Sequence, residues 1–357
     1  YGLVGSEMCI RDSLTNPFIQ EYSLTLERSL RGWGARLSYM GHLQLKVPYS
    51  VPINYAPPAR VPFDQSRRPV PTVRDISYLG NGGFSRNNML QIEVKRPLAQ
   101  GFFMTAGYSW LKELTDVSAT FGNGIALSRR QFKTNYGLFP RQQLILTYTW
   151  EVPVGRGRAF LSSAQPVING VLGGWRLTGV TQFQSGAYLT PYYVGADPVG
   201  LAPGTGNQLP DRVGDGNLAR SARNPWTGNS VFDTGAFVCP GGSTINGKAN
   251  LISAGCPLST PQDVGRYGNS SPYIIQGSGA NTWNWSASKE FPLRRENTSV
   301  EFSAWIANVW NHPSYTDFST NLSSPASVGR YTSTKNYFIE PFSYGKRKIS
   351  LRMRIRF

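Results

Sequence analysis

The last fifteen residues of the chain read Ser343-Tyr-Gly-Lys-Arg-Lys-Ile-Ser-Leu-Arg-Met-Arg-Ile-Arg-Phe357. Apolar residues occupy every second position from Ile349 to Phe357, and polar or basic residues fill the positions between them. A period of two places these sets on opposite faces of a β-strand, whereas a helix would scatter both around its axis. One apolar face, one arginine-rich face and a final aromatic residue are typical of a transmembrane β-barrel, whose strands separate lipid from a watery lumen. The alternative is a basic edge strand of a soluble β-sandwich.

The composition of the whole chain favours an all-β fold. The 357 residues are enough for a large core or for more than one domain. Gly (38), Tyr (18), Phe (18) and Trp (9) are plentiful, whereas charged residues make up only 16%, which is the profile of strands joined by turns. No run of 18 apolar residues occurs, and this excludes a helical membrane protein.

The sequence offers no pattern for catalysis or for cofactor binding. Its two histidines, His42 and His312, lie far apart and in no metal-binding spacing, and no Gly-x-Ser-x-Gly elbow is present. The glycine clusters Gly80-Asn-Gly-Gly83 and Gly155-Arg-Gly157 precede no helix pattern, so we predict turns there and not phosphate-binding loops. We therefore expect no enzyme activity, no cofactor, and no catalytic or metal-binding residues.

The net charge of +16 is compatible with nucleic acid, an anionic membrane surface or an anionic ligand as a partner. The basic residues are dispersed along the chain, and the motifs of DNA-binding and RNA-binding domains are missing. We therefore expect no nucleic-acid partner.

Cys239 and Cys256 share one polar segment that is rich in Gly and Pro. Such a placement suits a loop disulfide formed in an oxidising compartment. Two unrelated thiols fit the sequence equally well.

The first thirteen residues stand apart from the rest of the chain. They lack an initiator Met, and residues 4–13 resemble translated read-through of a sequencing adaptor. We expect residues 1–13 to be a non-native artefact and residues 14–357 to form a single, incomplete domain.

Alternation of apolar and polar residues recurs along the chain and predicts nine strands. They cover residues 18–30, 33–42, 84–97, 102–111, 141–152, 174–185, 281–291, 298–310 and 344–357. The connections alternate in length, because 31–32, 97–101, 153–173 and 292–297 are short whereas 43–83, 112–140, 186–280 and 311–343 are long. This alternation is typical of outer-membrane barrels, which have periplasmic turns and long extracellular loops, and it places the C-terminus in the periplasm. The Pro-rich residues 47–73 are predicted not to pair.

The same alternation assigns side chains to the two faces of the predicted barrel. Tryptophans at lipid-facing positions near strand ends predict two aromatic girdles, with Trp33, Trp150 and Trp175 on the periplasmic side and Trp110, Trp283 and Trp310 on the extracellular side. Basic residues at the opposite positions are predicted to line the lumen: Arg36, Arg176, Arg352, Arg354 and Arg356. Nine is an odd number, and an open edge in lipid would leave backbone groups unpaired, so these strands predict a fragment of a larger barrel.

Short motifs spread over nearly all of the chain after Ser13 carry a family resemblance. They include Trp150-Glu-Val-Pro-Val-Gly-Arg-Gly-Arg158 and Gly265-Arg-Tyr-Gly-Asn269, together with residues 16–22, 172–179, 184–186, 288–291, 308–313 and 352–357. In order and spacing they resemble the C-terminal half of TonB-dependent outer-membrane receptors, specifically the Oar-like group common in acidobacteria. The resemblance implies a barrel of about 22 strands with an N-terminal plug, in the outer membrane of a Gram-negative bacterium. It also implies ligand uptake with energy from the TonB complex, which would contact the missing N-terminal part.

The end of the last strand, with Leu351, Met353, Ile355 and Phe357, resembles the C-terminal signal that the barrel-assembly machinery recognises. By the same resemblance, the arginines of the lumen would offset carboxylates of the plug or guide an anionic ligand. Two alternatives to a receptor fragment are a truncated porin-like barrel and a soluble, basic all-β binding module.

Overall fold

Nine long strands form one open antiparallel sheet. The computed structural model describes residues 6–10, 15–59, 61, 63–116, 129–135, 137, 139–195, 197–200, 207–223, 228–241, 244–245, 248–249, 252, 266–293, 298–315, 318–331, 334–335 and 345–357. The strands are β1 (Phe18–Leu30), β2 (Trp33–Pro52), β3 (Asp75–Ala99), β4 (Phe102–Thr115), β5 (Gln142–Glu151), β6 (Trp175–Gln184), β7 (Ala280–Pro292), β8 (Ser299–Ala307) and β9 (Lys348–Arg356). Each strand pairs with its neighbours in the chain, so the sheet is a meander with β1 and β9 at its edges. The predicted all-β, antiparallel fold with nine long strands is confirmed.

Consecutive strands are joined alternately by short and long connections. Arg31 and Gly32 between β1 and β2 both have positive φ, 50° and 81°, as do Gln100 and Gly101 between β3 and β4, 52° and 76°. Two such residues give the tight turn that suits the twist of a hairpin. The third short connection, between β5 and β6, contains the predicted turn at Gly155-Arg-Gly157 and a helix, Pro166–Leu172.

β2 and β3 are longer than predicted, and two predictions are wrong here. β2 continues to Pro52, through residues predicted not to pair, and β3 begins at Asp75, so that Gly80-Asn-Gly-Gly83 lies within a strand. Proline is tolerated because the register shifts between Leu45 and Val47 and again between Val47 and Tyr49. The ladder thereby skips Lys46, whose φ is 56°, and Pro48, so the N–H group that proline lacks is not needed.

Ser6–Ile10 forms a short strand that pairs in parallel with Asp75–Leu79 of β3. This part of β3 extends past β4, whose pairing with β3 begins only at Ser85, so its edge is open to an added strand. Backbone pairing at an open edge depends little on side chains. The expectation that residues 1–13 are non-native therefore stays a prediction.

The described parts of the four long connections fold together at one end of the sheet, and we call this unit the loop body. Its paired two-residue strands are Tyr188–Leu189 with Ile275–Gln276, Tyr193–Val194 with Asn207–Gln208, Asp211–Arg212 with Phe237–Val238, Thr244–Ile245 with Lys248–Ala249, and Ser314–Tyr315 with Thr334–Lys335. It also contains Thr134–Asn135, which pairs with β4, a helical turn at Arg129–Phe132, and 3-10 turns at Gln65–Arg67, Arg220–Ala222 and Thr234–Ala236. Among the described residues, none of the helices could span a membrane.

The loop body has its own apolar core. The core residues are Tyr193, Val231, Phe232, Ala236, Phe237, Cys239, Ile252, Ile275, Phe318 and Leu322, all buried. Hydrogen bonds tie the separate connections to one another: the N–H of Leu322 donates to the carbonyl of Tyr192 (2.8 Å), and Gln131 Nε2 donates to the carbonyls of Gly268 and Ser270 (2.8 and 2.7 Å). The long connections are therefore one packed unit at the end of the sheet opposite the hairpin turns.

Candidate functional site: two faces of a sheet and a loop body

One face of the sheet is largely apolar, because the strand register aligns apolar residues with one another. One row across the sheet consists of direct partners, Leu26, Leu37, Ile92, Tyr108, Leu144 and Phe183. Leu24 is 62% exposed and Leu351 is 82% exposed. Exposed apolar residues in contiguous rows mark a surface that meets another apolar phase.

Aromatic rings lie at both ends of this apolar face. Trp33, Trp150 and Trp175 lie where the strands meet the short connections, and Trp110, Trp283 and Trp310 lie near the loop body. The Trp310 ring is 6.2 Å from Trp283 and 5.6 Å from Trp285, centroid to centroid. The assignment of these residues to membrane girdles stays a prediction.

A tyrosine pair near the loop body was not predicted. The hydroxyls of Tyr22 and Tyr39 both donate to Asn88 Oδ1, each at 3.0 Å. The Tyr22 ring covers Gly41, where an added Cβ would lie 2.0 Å from ring atoms. Both rings thus turn apolar surface outward, while both hydroxyls have a hydrogen-bond partner in the side chain of Asn88.

Two cations on the apolar face were also missed by the sequence analysis. Arg96 lies over the rings of Trp33 and Phe102, at 5.3 and 5.5 Å from the centroids. Lys289 lies over Trp175 and Phe291, at 5.8 and 5.0 Å. Both occur at positions of apolar parity beside aromatic residues near strand ends, and that pattern is the signal in the sequence that could have identified them.

The opposite, polar face carries ion pairs near the short connections. Arg36 Nε lies 2.5 Å from Glu27 Oε1, and its Nη1 lies 3.6 Å from Glu93 Oε2. All three side chains are about half exposed, so the electrostatic attraction is screened by solvent. Arg36 thus bridges β1, β2 and β3 on the face predicted to line the lumen.

A charged cleft of about 210 Å³ lies on the same face between β5 and β9. Glu151 lies 3.6 Å from Arg176 and 3.5 Å from Arg158. Arg356 lies 3.0 Å from Glu301 and 3.5 Å from Glu290. The cleft therefore contains balanced charge, and these arginines are already neutralised by carboxylates of the sheet.

Arg352 and Arg354 differ from the other predicted lumen arginines. They lie opposite Ser303 and Glu301 in the register, on edge strand β9, and among the described residues neither forms an ion pair. Their guanidinium groups remain available on the polar face.

The loop body is fastened by a buried carboxylate. Arg266 Nη1 and Nη2 donate to the two oxygens of Asp211, both at 2.8 Å, and the backbone N–H groups of Asn269 (3.0 Å) and Gly241 (2.8 Å) donate to it as well. Burial alone would raise the pKa of Asp211, but these hydrogen bonds and the Arg266 charge lower it overall. The neighbouring Gly268 is required by close packing, because a Cβ there would lie 2.1 Å from the Pro210 carbonyl.

The profile of an outer-membrane β-barrel domain matches residues 6–348. The chain belongs to this family. An outer-membrane barrel domain accounts for the antiparallel meander, its exposed apolar face and its polar reverse face, and it places the protein in the outer membrane.

Solved structures with a similar arrangement are outer-membrane transporters and receptors. The outer membrane transporter YddB from Escherichia coli has 11% identity and a TM-score of 0.45, over 100% of this chain and 35% of that one. BauA, the ferric preacinetobactin receptor from Acinetobacter baumannii, has 12% identity and a TM-score of 0.43, over 95% of this chain and 29% of that one. The ferripyoverdine receptor of Pseudomonas aeruginosa has 10% identity and a TM-score of 0.43, over 96% and 27%. This chain spans about a third of the length of these proteins, and no curated protein matches it.

Strand β9 presents the residues predicted as an assembly signal. Leu351, Met353 and Ile355 lie on the apolar face of β9, and Phe357, just beyond the strand, is fully exposed. β9 pairs with β8 alone among the described residues, so its outer edge is free to pair. Recognition by the assembly machinery stays a prediction.

Cys239 of the barrel domain is disulfide-bonded and lies in the core of the loop body. Its predicted partner, Cys256, lies outside the described residues. Within the described part of the chain no His, Cys, Asp and Glu side chains cluster as metal ligands, and the expected lack of enzyme activity stays a prediction.

Proposed function

We propose that the chain is the C-terminal part of the barrel of a TonB-dependent outer-membrane receptor, which takes up a ligand across the outer membrane. The observation that supports this most is the two-faced, nine-stranded meander with hairpins at one end and a packed loop body at the other. The motifs that resemble the Oar-like receptors lie partly in these strands and partly in the connections between them. A larger protein would supply the plug and the segment that contacts the TonB complex.

The open edges support a barrel with more strands. In lipid, unpaired backbone N–H and C=O groups cost several kcal/mol each, so β1 and β9 both require a partner strand. A receptor barrel of about 22 strands provides both partners. The apolar face would then contact outer-membrane lipid, and the polar face would line the lumen.

The proposed orientation places the loop body outside the cell and the hairpins and C-terminus in the periplasm. Two single cysteines test it, Val213→Cys in the loop body and Leu98→Cys at a hairpin, both at exposed positions. A membrane-impermeant maleimide should label position 213 on intact cells and position 98 only after permeabilisation. The reverse pattern would overturn the orientation.

Arg352 and Arg354 are the lumen arginines best placed to act on a plug or an anionic ligand, because neither forms an ion pair with a described residue. Cysteines at positions 351 and 352 should react differently, the first with lipid-soluble reagents and the second with water-soluble ones. Equal reactivity at both positions would rule out this assignment of faces.

Phe357 is proposed to guide insertion by the barrel-assembly machinery. Deleting it from the whole protein should reduce the heat-modifiable, surface-exposed fraction, because the last strand must pair to close the barrel. The substitution Phe357→Tyr keeps an aromatic terminus and serves as the control. Normal insertion of the deletion variant would refute the role.

The receptor function is tested by comparing growth of a deletion strain on single limiting nutrients, with and without a working TonB complex. A receptor predicts one nutrient on which the deletion impairs growth when TonB is working. In a strain without a working TonB complex, the deletion should cause no further loss of growth on that nutrient. A porin-like barrel instead predicts TonB-independent uptake and a stable conductance in planar bilayers. Release of the protein by an alkaline wash without detergent would favour the soluble alternative.

A further inference from the structure

The connection between β5 and β6 contains a helix with apolar residues pointing away from the protein. Within Pro166–Leu172 no residue is buried. Val167 is 79% exposed and Val171 is 62% exposed, and Ile168 and Leu172 are exposed beside them. These residues form two i, i+4 pairs, which places all four on one side of the helix.

The other side of this helix is bound to the protein. Asn169 Oδ1 accepts a hydrogen bond from the backbone N–H of Arg156 (2.8 Å), and Asn169 packs against Gly155 and Gly173. Trp175 Nε1 donates to the carbonyl of Val171 (2.8 Å). The helix is therefore held in a fixed orientation, with its apolar stripe outward.

Lys289 explains why the helix sits at this place. Its side chain emerges on the apolar face of β7, yet the residue is only 6% exposed. Its Nζ donates to the carbonyls of Asn169 (3.3 Å) and Gly170, at the C-terminal end of the helix, where a cation is favoured. The helix thus covers a charge on the apolar face and presents four apolar side chains in its place.

We propose that this helix is an interfacial anchor that inserts its apolar stripe into the phospholipid leaflet next to the hairpin end of the barrel. The helix adjoins the apolar face of the sheet at Trp175, which lies on that face and whose Nε1 donates to the carbonyl of Val171. Short amphipathic helices with a bound polar side and an apolar outer side lie in the plane of such interfaces. Arg156 in the same connection is exposed, and basic residues at such interfaces attract lipid phosphate. The proposal rests on the orientation proposed above, which places the hairpin end at the periplasmic, phospholipid leaflet of the outer membrane.

The test attaches an environment-sensitive NBD fluorophore to Val167→Cys in the whole protein, reconstituted in phospholipid vesicles. The matched control is Val213→Cys, an exposed valine of the loop body, and the unsubstituted protein labelled in parallel gives the background. Quenching by lipids with a nitroxide high on the acyl chain should be severalfold stronger at position 167 than at 213. Quenching by aqueous iodide should show the opposite order.

A second variant tests how the helix is held. Lys289→Met should reduce the lipid quenching at position 167, whereas Lys289→Arg should retain it, because only the cation is needed at the helix end. Iodide quenching at 167 as strong as at 213 would overturn the proposal. Protection of position 167 from iodide that rises with protein density in the membrane would also overturn the proposal, because a second copy of the chain would then cover the helix. Either result would leave the barrel and receptor proposals standing, because those are tested by labelling and growth.

Discussion

The sheet and the loop body are built from the same kinds of residues but bury them in opposite ways. In the loop body, Phe232 is 1% exposed and packs on Phe318 and Phe237. In the sheet, Phe302 on the apolar face is 47% exposed. The loop body thus excludes water by packing on itself, whereas the sheet depends on a surrounding apolar phase. One chain therefore contains a packed apolar interior and an apolar outer surface within one fold.

The largest expected effect comes from a cavity in the core of the loop body. Phe232→Ala should cost about 3–5 kcal/mol of loop-body stability, because it opens a cavity in a packed interior. Hydrogen exchange should show loss of protection in residues 228–241, while β2 to β8 stay protected. Phe302→Ala is the matched control and should leave the loop body unchanged. Equal loss of protection in both regions would mean that they unfold as one unit.

A charge introduced on the apolar face should lower the free energy of unfolding by less than the cavity in the loop body does. It should still cost more than a charge introduced on the outside of the loop body. Leu37 lies on the apolar face of β2, and Leu37→Arg should cost about 2–4 kcal/mol in lipid. Val213→Arg, at an exposed position of the loop body, should stay within about 0.5 kcal/mol. Denaturant titration in lipid vesicles measures both. Similar costs for the two variants would contradict a lipid-facing sheet.

The loop body should respond to acid. The pKa of Asp211 is lowered in the folded state, so its contribution is fully present above the unfolded value near 3.8 and is lost as the pH falls through the folded value. Protease cleavage of the loop body should therefore increase in that acidic range. Asp211→Asn should remove this pH dependence and cost about 1–3 kcal/mol at neutral pH, because Arg266 loses its charged partner. An unchanged acid transition in the variant would assign it to other groups.

The smallest effect is expected from the ion pairs of the polar face. Arg36 and Glu27 are about half exposed, so a double-mutant cycle of Arg36→Gln and Glu27→Gln should give a coupling of at most about 1 kcal/mol. Added salt should weaken it further. A much larger, salt-insensitive coupling would show that the barrel interior around β1 and β2 is dry.

The sequence predicted the strands of the sheet far better than the loop body. All nine long strands were found, but the pairing of β2 through Pro48 and Pro52 depended on two register shifts that no local pattern announces. The buried latch between Asp211 and Arg266 joins residues that are 55 positions apart. Arg36, Arg176 and Arg356 were placed on the correct strands, yet their carboxylate partners emerged only from the register.

Alternation by itself determined the nine strands, their order of short and long connections and the side to which each residue points. This is possible because successive side chains of a strand leave on opposite faces whatever the strand's partners are. Only the tertiary structure decided that the long connections share one core and that the helix Pro166–Leu172 covers Lys289. Those contacts join residues far apart in the chain, so they depend on the path of the folded backbone and not on any local period.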